Sequence, residues 1–188
     1  MKRMNKGKFT GVGLGPGDPE LITMKGYRAL EAAGIIFYPV TALDGGTENS
    51  WSAAILDKLG INKPCKPLLI PMKGGQREKC YREAFIQIKT ALEEGKDVVM
   101  VSEGDLLFYS TFGYIFRMAR EEGIPCQLIP GIPAFIAAGA LSNQPLVEKS
   151  TGIEVMAKPE NFADVEEALN RRSTLVIMKI SVLDGWYS

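Results

Sequence analysis

The sequence predicts an α/β fold: a mostly parallel sheet with helices on both faces, followed by a second α/β lobe that reads as truncated. Three observations predict it. Short, strand-like apolar runs alternate with helical stretches along the chain. Some of these runs are continuously apolar, as strands buried on both faces are. A glycine loop, a polar loop and a proline-containing turn follow three of them, at the sheet edge where such folds collect ligands.

The elements follow in order. "KFTGVGL" (8–14) is a strand running into the loop "TGVGLGPGDPEL" (10–21). In "LITMKGYRALEAAG", Leu21, Met24, Tyr27 and Leu30 recur at helical spacing, with Gly34 as the stop. "IIFYPV" (35–40) is a buried strand, and "SWSAAILDKLG" (50–60) a helix ending at Gly60. "KPLLIPM" (66–72) is a short strand whose prolines suit an edge. An amphipathic helix from Gln76 to Glu94 stops at Gly95, and "DVVMVSEGD" (97–105) is an apolar strand opening onto a polar loop. "STFGYIFRMAREEG" (110–123) is a helix capped by Ser110 or Thr111. "CQLIPG" (126–131) is a strand and turn, and "AFIAAGALS" (134–142) a helix of small residues. Residues 1–144 form the first domain on this reading. The second, from Pro145 to Ser188, holds "GIEVMA" (152–157), a helix capped by Asn161 and the strand "TLVIMKI" (174–180), and reads as incomplete.

Composition narrows the chemistry. At 188 residues, with 46% hydrophobic and 23% charged, the chain can bury a real core as one domain or two small ones. Twenty-two basic residues balance twenty-two acidic ones, so no global field favours nucleic acid. The leading "MKRMNKGK" is basic but precedes too short an apolar stretch for a signal peptide or membrane anchor. The chain has no histidine, which removes Ser-His-Asp triads, Cys-His dyads and the usual zinc sites. Cys65, Cys80 and Cys126 are scattered and odd in number, as suits the reducing cytoplasm.

The first loop is not a phosphate cradle. A dinucleotide fingerprint needs G-x-G-x-x-G. From Gly11 and Gly13 the sixth position is Pro16, and from Gly13 and Gly15 it is Asp18. Pro16 has no N–H for an anion, and Asp18 would repel one. Two readings stand: close backbone approach to a ligand that is not a polyphosphate, or simply a tight turn.

Three loops in this order resemble those of the tetrapyrrole (corrin/porphyrin) methyltransferases. The family's "G-x-G-P-G-D" is Gly13 to Asp18, and its following helix motif is "LITMKGYRALEAAG", with Gly34 where an acid is usual. Its "G-D-P-x-x-[FY]" loop is "GDLLFY", and its "P-G-[IV]-[TS]-[AS]" turn is "PGIPA". "FYPV", "SEGDLLFYSTF" and "TLVIMKI" resemble most the subgroup methylating carbon 20 of precorrin-2 or cobalt-precorrin-2. Members that methylate uroporphyrinogen usually carry an acid where Pro39 stands. Leu106 replaces a usual proline, and Pro133 a usual threonine or serine.

The resemblance implies a tetrapyrrole methylase-like fold with S-adenosylmethionine, a phosphate-free sulfonium, between the lobes. Pro16, Glu103, Gly104, Asp105, Phe108, Pro133, Ala134 and Met178 or Lys179 would contact it. Core packing is the alternative for Phe108 and Met178, and a turn hydrogen bond for Asp105. It implies no metal and assigns no catalytic residue; Glu103 and Tyr109 are the nearest groups for a proton. Lys73, Arg77 and Lys79 would meet substrate carboxylates, unless they are a solvated charge run. A tetrapyrrole is the expected partner, with no nucleic acid or membrane, in a cytoplasmic homodimer. Other superfamily activities, including uroporphyrinogen or other precorrin methylation, diphthine synthesis and ribosomal-RNA ribose methylation, stay open. So does a module that binds the donor without turnover.

Overall fold

Strand and helix alternate through the computed structural model, which describes residues 6–41, 50–71, 76–159, 161–171 and 173–179. The first unit comprises β1 (Phe9–Gly13), α1 (Met24–Ala32), β2 (Ile35–Val40), α2 (Trp51–Lys58), β3 (Cys65–Leu69), α3 (Arg77–Glu93), β4 (Val98–Ser102), α4 (Phe112–Glu121) and β5 (Cys126–Ile129). All its strand pairings are parallel, in the order β3-β2-β4-β1-β5.

That order explains helices on both faces. The chain steps one way from β1 to β3, then returns to β4 and on to β5. Right-handed crossovers therefore put α1 and α2 on one face and α3 and α4 on the other. Side chains alternate accordingly. Val12, Ile36, Tyr38, Val99 and Val101 share a core with Leu30 of α1 and Ile55 and Leu56 of α2. Phe9, Phe37, Val98 and Met100 pack with Tyr81, Phe85 and Ile88 of α3 and Phe112 and Ile115 of α4. All five residues of β4 are buried, which is why that stretch is apolar without alternation. Each large apolar side chain enclosed here contributes about 1.5–3 kcal/mol.

Boundaries differ from the sequence reading in places. Pro19–Leu21 forms a 3-10 turn capped by Asp18, so Leu21 precedes α1. The helix starts after Thr23, whose hydroxyl accepts from Gly26 N–H at 3.0 Å. It ends before Gly34, whose N–H donates instead to Asp97 C=O at 2.8 Å. Ser110 supplies the hydroxyl of α4, accepting from Phe112 N–H at 3.1 Å, whereas Thr111 makes no side-chain cap bond. Arg77 and Lys79 stand on α3 rather than in a loop: Arg77 donates to the Tyr81 hydroxyl at 3.0 Å, and Lys79 pairs with Glu83 at 3.8 Å. Lys73 lies outside the described residues.

The second compact unit begins at Phe135, ten residues before the expected start at Pro145. Helix α5 (Ala134–Ser142) falls almost wholly within it. Its Gly139 faces Leu146: a Cβ there would lie 2.8 Å from Leu146 Cγ. β6 (Gly152–Ala157), α6 (Phe162–Leu169) and β7 (Ser173–Met178) form a parallel β-α-β unit. Asn161 caps α6 by accepting from Asp164 N–H at 3.0 Å. Among the described residues, no helix is long and apolar enough to cross a membrane.

Candidate functional site

Three glycines bring three loops together at the carboxyl ends of β1, β4 and β5. A Cβ on Gly13 would lie 2.5 Å from Gly131 N and 2.8 Å from Gly104 O. A Cβ on Gly131 would meet Gly104 O at 2.1 Å. Close approach is thus real, but the approaching groups are the chain's own loops. Beyond them, Gly15 and Gly104 form a small antiparallel bridge, N–H to C=O at 3.2 and 2.7 Å. Both adopt positive φ, 81° and 62°, which glycine tolerates without strain.

Asp105 braces this junction. One carboxylate oxygen accepts from Leu107 N–H at 2.9 Å, a local turn; the other accepts from Gly131 N–H at 3.0 Å, across loops. Leu106, standing in place of the usual proline, is 1% exposed and reaches under Gly11, so burial holds the turn. Ser102 and Ser110 share a hydroxyl bond of 2.7 Å at the loop's base. Tyr109 takes φ 51°, a region non-glycine residues rarely occupy. Phe108 is half-buried and meets the Tyr109 ring edge-on, centroids 4.9 Å apart.

Glu103 reaches away from that junction to α2. Its Oε1 accepts from Ser52 N–H at 3.2 Å and from Ser52 Oγ at 2.6 Å, satisfying an otherwise orphaned donor in the first turn. The carboxylate also opposes the positive end of the helix. Ser50, the N-cap, accepts from Ala53 N–H at 3.3 Å and donates to Pro39 C=O at 3.2 Å. Between the two serines stands Trp51.

These parts enclose a cavity of about 270 Å³. Gly15, Pro16 and Gly17 line it from the first loop, Glu103 and Gly104 from the second, Ala134 from the third, and Trp51 and Ile55 from α2. Four implied contact residues, Pro16, Glu103, Gly104 and Ala134, therefore share one cavity. Pro133 adjoins it, its Cα 4.0 Å from where a Gly104 Cβ would be. Asp105 supports the walls without lining them, and Phe108 does not line the cavity. Met178 and Lys179 belong to the second unit; Met178 C=O accepts from Lys158 N–H at 3.1 Å, and Lys179 is exposed with φ 59°. Trp51 was missed at the sequence level. Its signal was available: a bulky aromatic directly after a helix cap, one turn before Ile55.

Chemically, the cavity suits a cation better than an anion. Among the described residues lining it, the charged one is an acid, Glu103, and no lysine or arginine is present. A phosphate would find no counter-charge. Among the described residues, no group of three or more Cys, Asp or Glu could hold a metal ion. A larger cavity, about 610 Å³, lies at the opposite strand ends beside Lys8, Phe9, Ile124 and Cys126, sharing none of these loops. Volume alone would favour it; the convergent loops favour the smaller one.

Comparison with known proteins decides the family. The sequence profile of the Tetrapyrrole (Corrin/Porphyrin) Methylases matches residues 8–185. The chain belongs to this family. Family members use S-adenosylmethionine as the methyl donor, and, with the precorrin-2 C(20)-methyltransferase relatives below, the family marks the chain as a C-methyltransferase. One relative is the Methanocaldococcus jannaschii protein named "Probable cobalt-precorrin-2 C(20)-methyltransferase", 32% identical over 178 residues, 94% of this chain and 74% of that one. A Sinorhizobium protein named "Precorrin-2 C(20)-methyltransferase" is 29% identical over 188 residues, 96% of this chain and 76% of its own. In fold, a solved cobalamin synthesis related protein of Corynebacterium diphtheriae superposes with a TM-score of 0.70 at 20% identity, covering 93% and 72% of the two chains.

Proposed function

We propose that this methylase transfers a methyl group to carbon 20 of precorrin-2 or cobalt-precorrin-2, in cobalamin biosynthesis. Two relatives carry these substrates in their names. The observation that carries the donor assignment is the cavity's charge: an acid and no base among its described lining residues. When bound, S-adenosylmethionine supplies an electrophilic methyl group on a sulfonium.

The chain's own residues hold and align. Pro16, Gly104 and Ala134 give apolar and main-chain walls, with Pro133 beside them, and Glu103 places a negative charge near the sulfonium. Asp105 fixes the distance between the second and third loops. Phe108, Met178 and Lys179 are further donor contacts that the family resemblance implies, none of them among the described residues lining this cavity. The reduced macrocycle is electron-rich and enamine-like, so its carbon attacks without a strong base. Catalysis then rests on alignment at about 3–3.5 Å and exclusion of water, which a chain lacking histidine can provide. Glu103 and Tyr109 are the groups nearest to accept the proton released afterwards. The same reading takes the enzyme as a cytoplasmic homodimer.

Radiolabelled donor mixed with precorrin-2, cobalt-precorrin-2 or uroporphyrinogen III tests the proposal. Label in either of the first two, at carbon 20 by NMR, supports it and identifies the metal state. Label only in the third, or in none, overturns it.

A further inference from the structure

Trp51 is the large apolar side chain of the cavity wall, and it is 78% exposed. Its backbone is nevertheless held on both sides. Ser50 ties the start of α2 to Pro39 of β2, and Ser52 is gripped twice by Glu103. Ile55, one turn along the helix, is 2% exposed and anchors the same face of the first turn. An indole left in water on a fixed backbone is preorganised for a flat apolar partner.

We infer that Trp51 is a substrate-binding residue whose indole packs against the face of the tetrapyrrole macrocycle. This rests on the methyltransferase reading above. The alternative partner, the donor's adenine, needs hydrogen bonds at its ring edge. The next two amides along the helix are already taken, Ser52 N–H by Glu103 and Ala53 N–H by Ser50 Oγ. What α2 offers at this point is chiefly a π face. The main-chain edges lie instead in the glycine loops, on the walls contributed by Gly15 and Gly104.

The test measures two ligands separately on three proteins: wild type, Trp51→Phe and Trp51→Ala. Precorrin-2 binding is followed anaerobically by absorbance, and S-adenosylmethionine binding by calorimetry. Stacking of a flat ring on an aromatic side chain predicts a loss of about ten- to a hundredfold for precorrin-2 in Trp51→Ala. Trp51→Phe keeps a ring and should stay within about fivefold of wild type, with donor affinity within about twofold throughout. Unchanged precorrin-2 affinity in Trp51→Ala, or an equal or larger loss for the donor, overturns the inference while leaving the methyltransferase reading intact. Failure of the wild type to bind either precorrin-2 or cobalt-precorrin-2 removes both.

Discussion

At the scale of single residues, glycine and aspartate positions carry most of the site's architecture. A methyl group on Gly131 would sit 2.1 Å from Gly104 O, a backbone atom with nowhere to retreat. Gly131→Ala should therefore lower unfolding stability by about 2–4 kcal/mol in urea titration. Gly113→Ala is the contrast: nothing lies within 4 Å of its Cβ, and it sits in α4. It should be neutral or stabilising by up to about 1 kcal/mol. Cys126 gives a pH prediction. Burial pushes its thiol up to about 12 from 9.0, against a weaker lowering by a hydrogen bond with the Gly11 backbone. The folded chain thus keeps this proton where the unfolded chain has lost it. Its contribution is fully present below the unfolded value near 9 and is lost as pH rises towards about 12. Urea midpoints should fall over that window, and less steeply in Cys126→Ala. Cys65 and Tyr38 are shifted up as well, chiefly by burial, so part of the slope should remain.

Among the elements, α2 matters most for the site, because its start is bonded to strand β2 at Pro39 and to the loop after β4 at Glu103. Glu103→Ala frees Ser52 N–H and Oγ and should cost about 0.5–2 kcal/mol, in the range of a lost helix cap. It should also lower methyl transfer, whereas Glu103→Gln keeps an acceptor and most of the stability. On the opposite face, Phe112 of α4 is fully buried against Phe9 and fills the space over Gly11. Phe112→Ala should cost about 3–5 kcal/mol in the same titration, having opened a cavity beneath the second loop. Helix α3 was legible from periodicity alone, its buried positions running from Cys80 to Leu92. The first turn of α1 was not. Leu21 fits the helical spacing, yet Asp18 and Thr23 each cap a different segment around it. Local side-chain bonds outweighed apolar spacing there.

For the whole molecule, both sheet cores form within Met1–Ala134. A fragment ending at Ala134 should fold, with cooperative unfolding and α/β circular dichroism. An unfolded fragment would mean that the second unit is needed for the first to fold. The sequence by itself determined the order and kind of the elements, the lack of histidine and of a dinucleotide fingerprint in the first loop, and the loops that mark the family. Those properties are local: spacing, turn residues and composition are written along the chain. Only the tertiary structure decided that Gly13, Gly104 and Gly131 crowd one another, that Asp105 bridges two loops, and that Glu103 is bonded to Ser52 beside an exposed Trp51. Each of these joins residues far apart in sequence. The parallel order β3-β2-β4-β1-β5 makes them neighbours, and no short stretch of the chain contains that information.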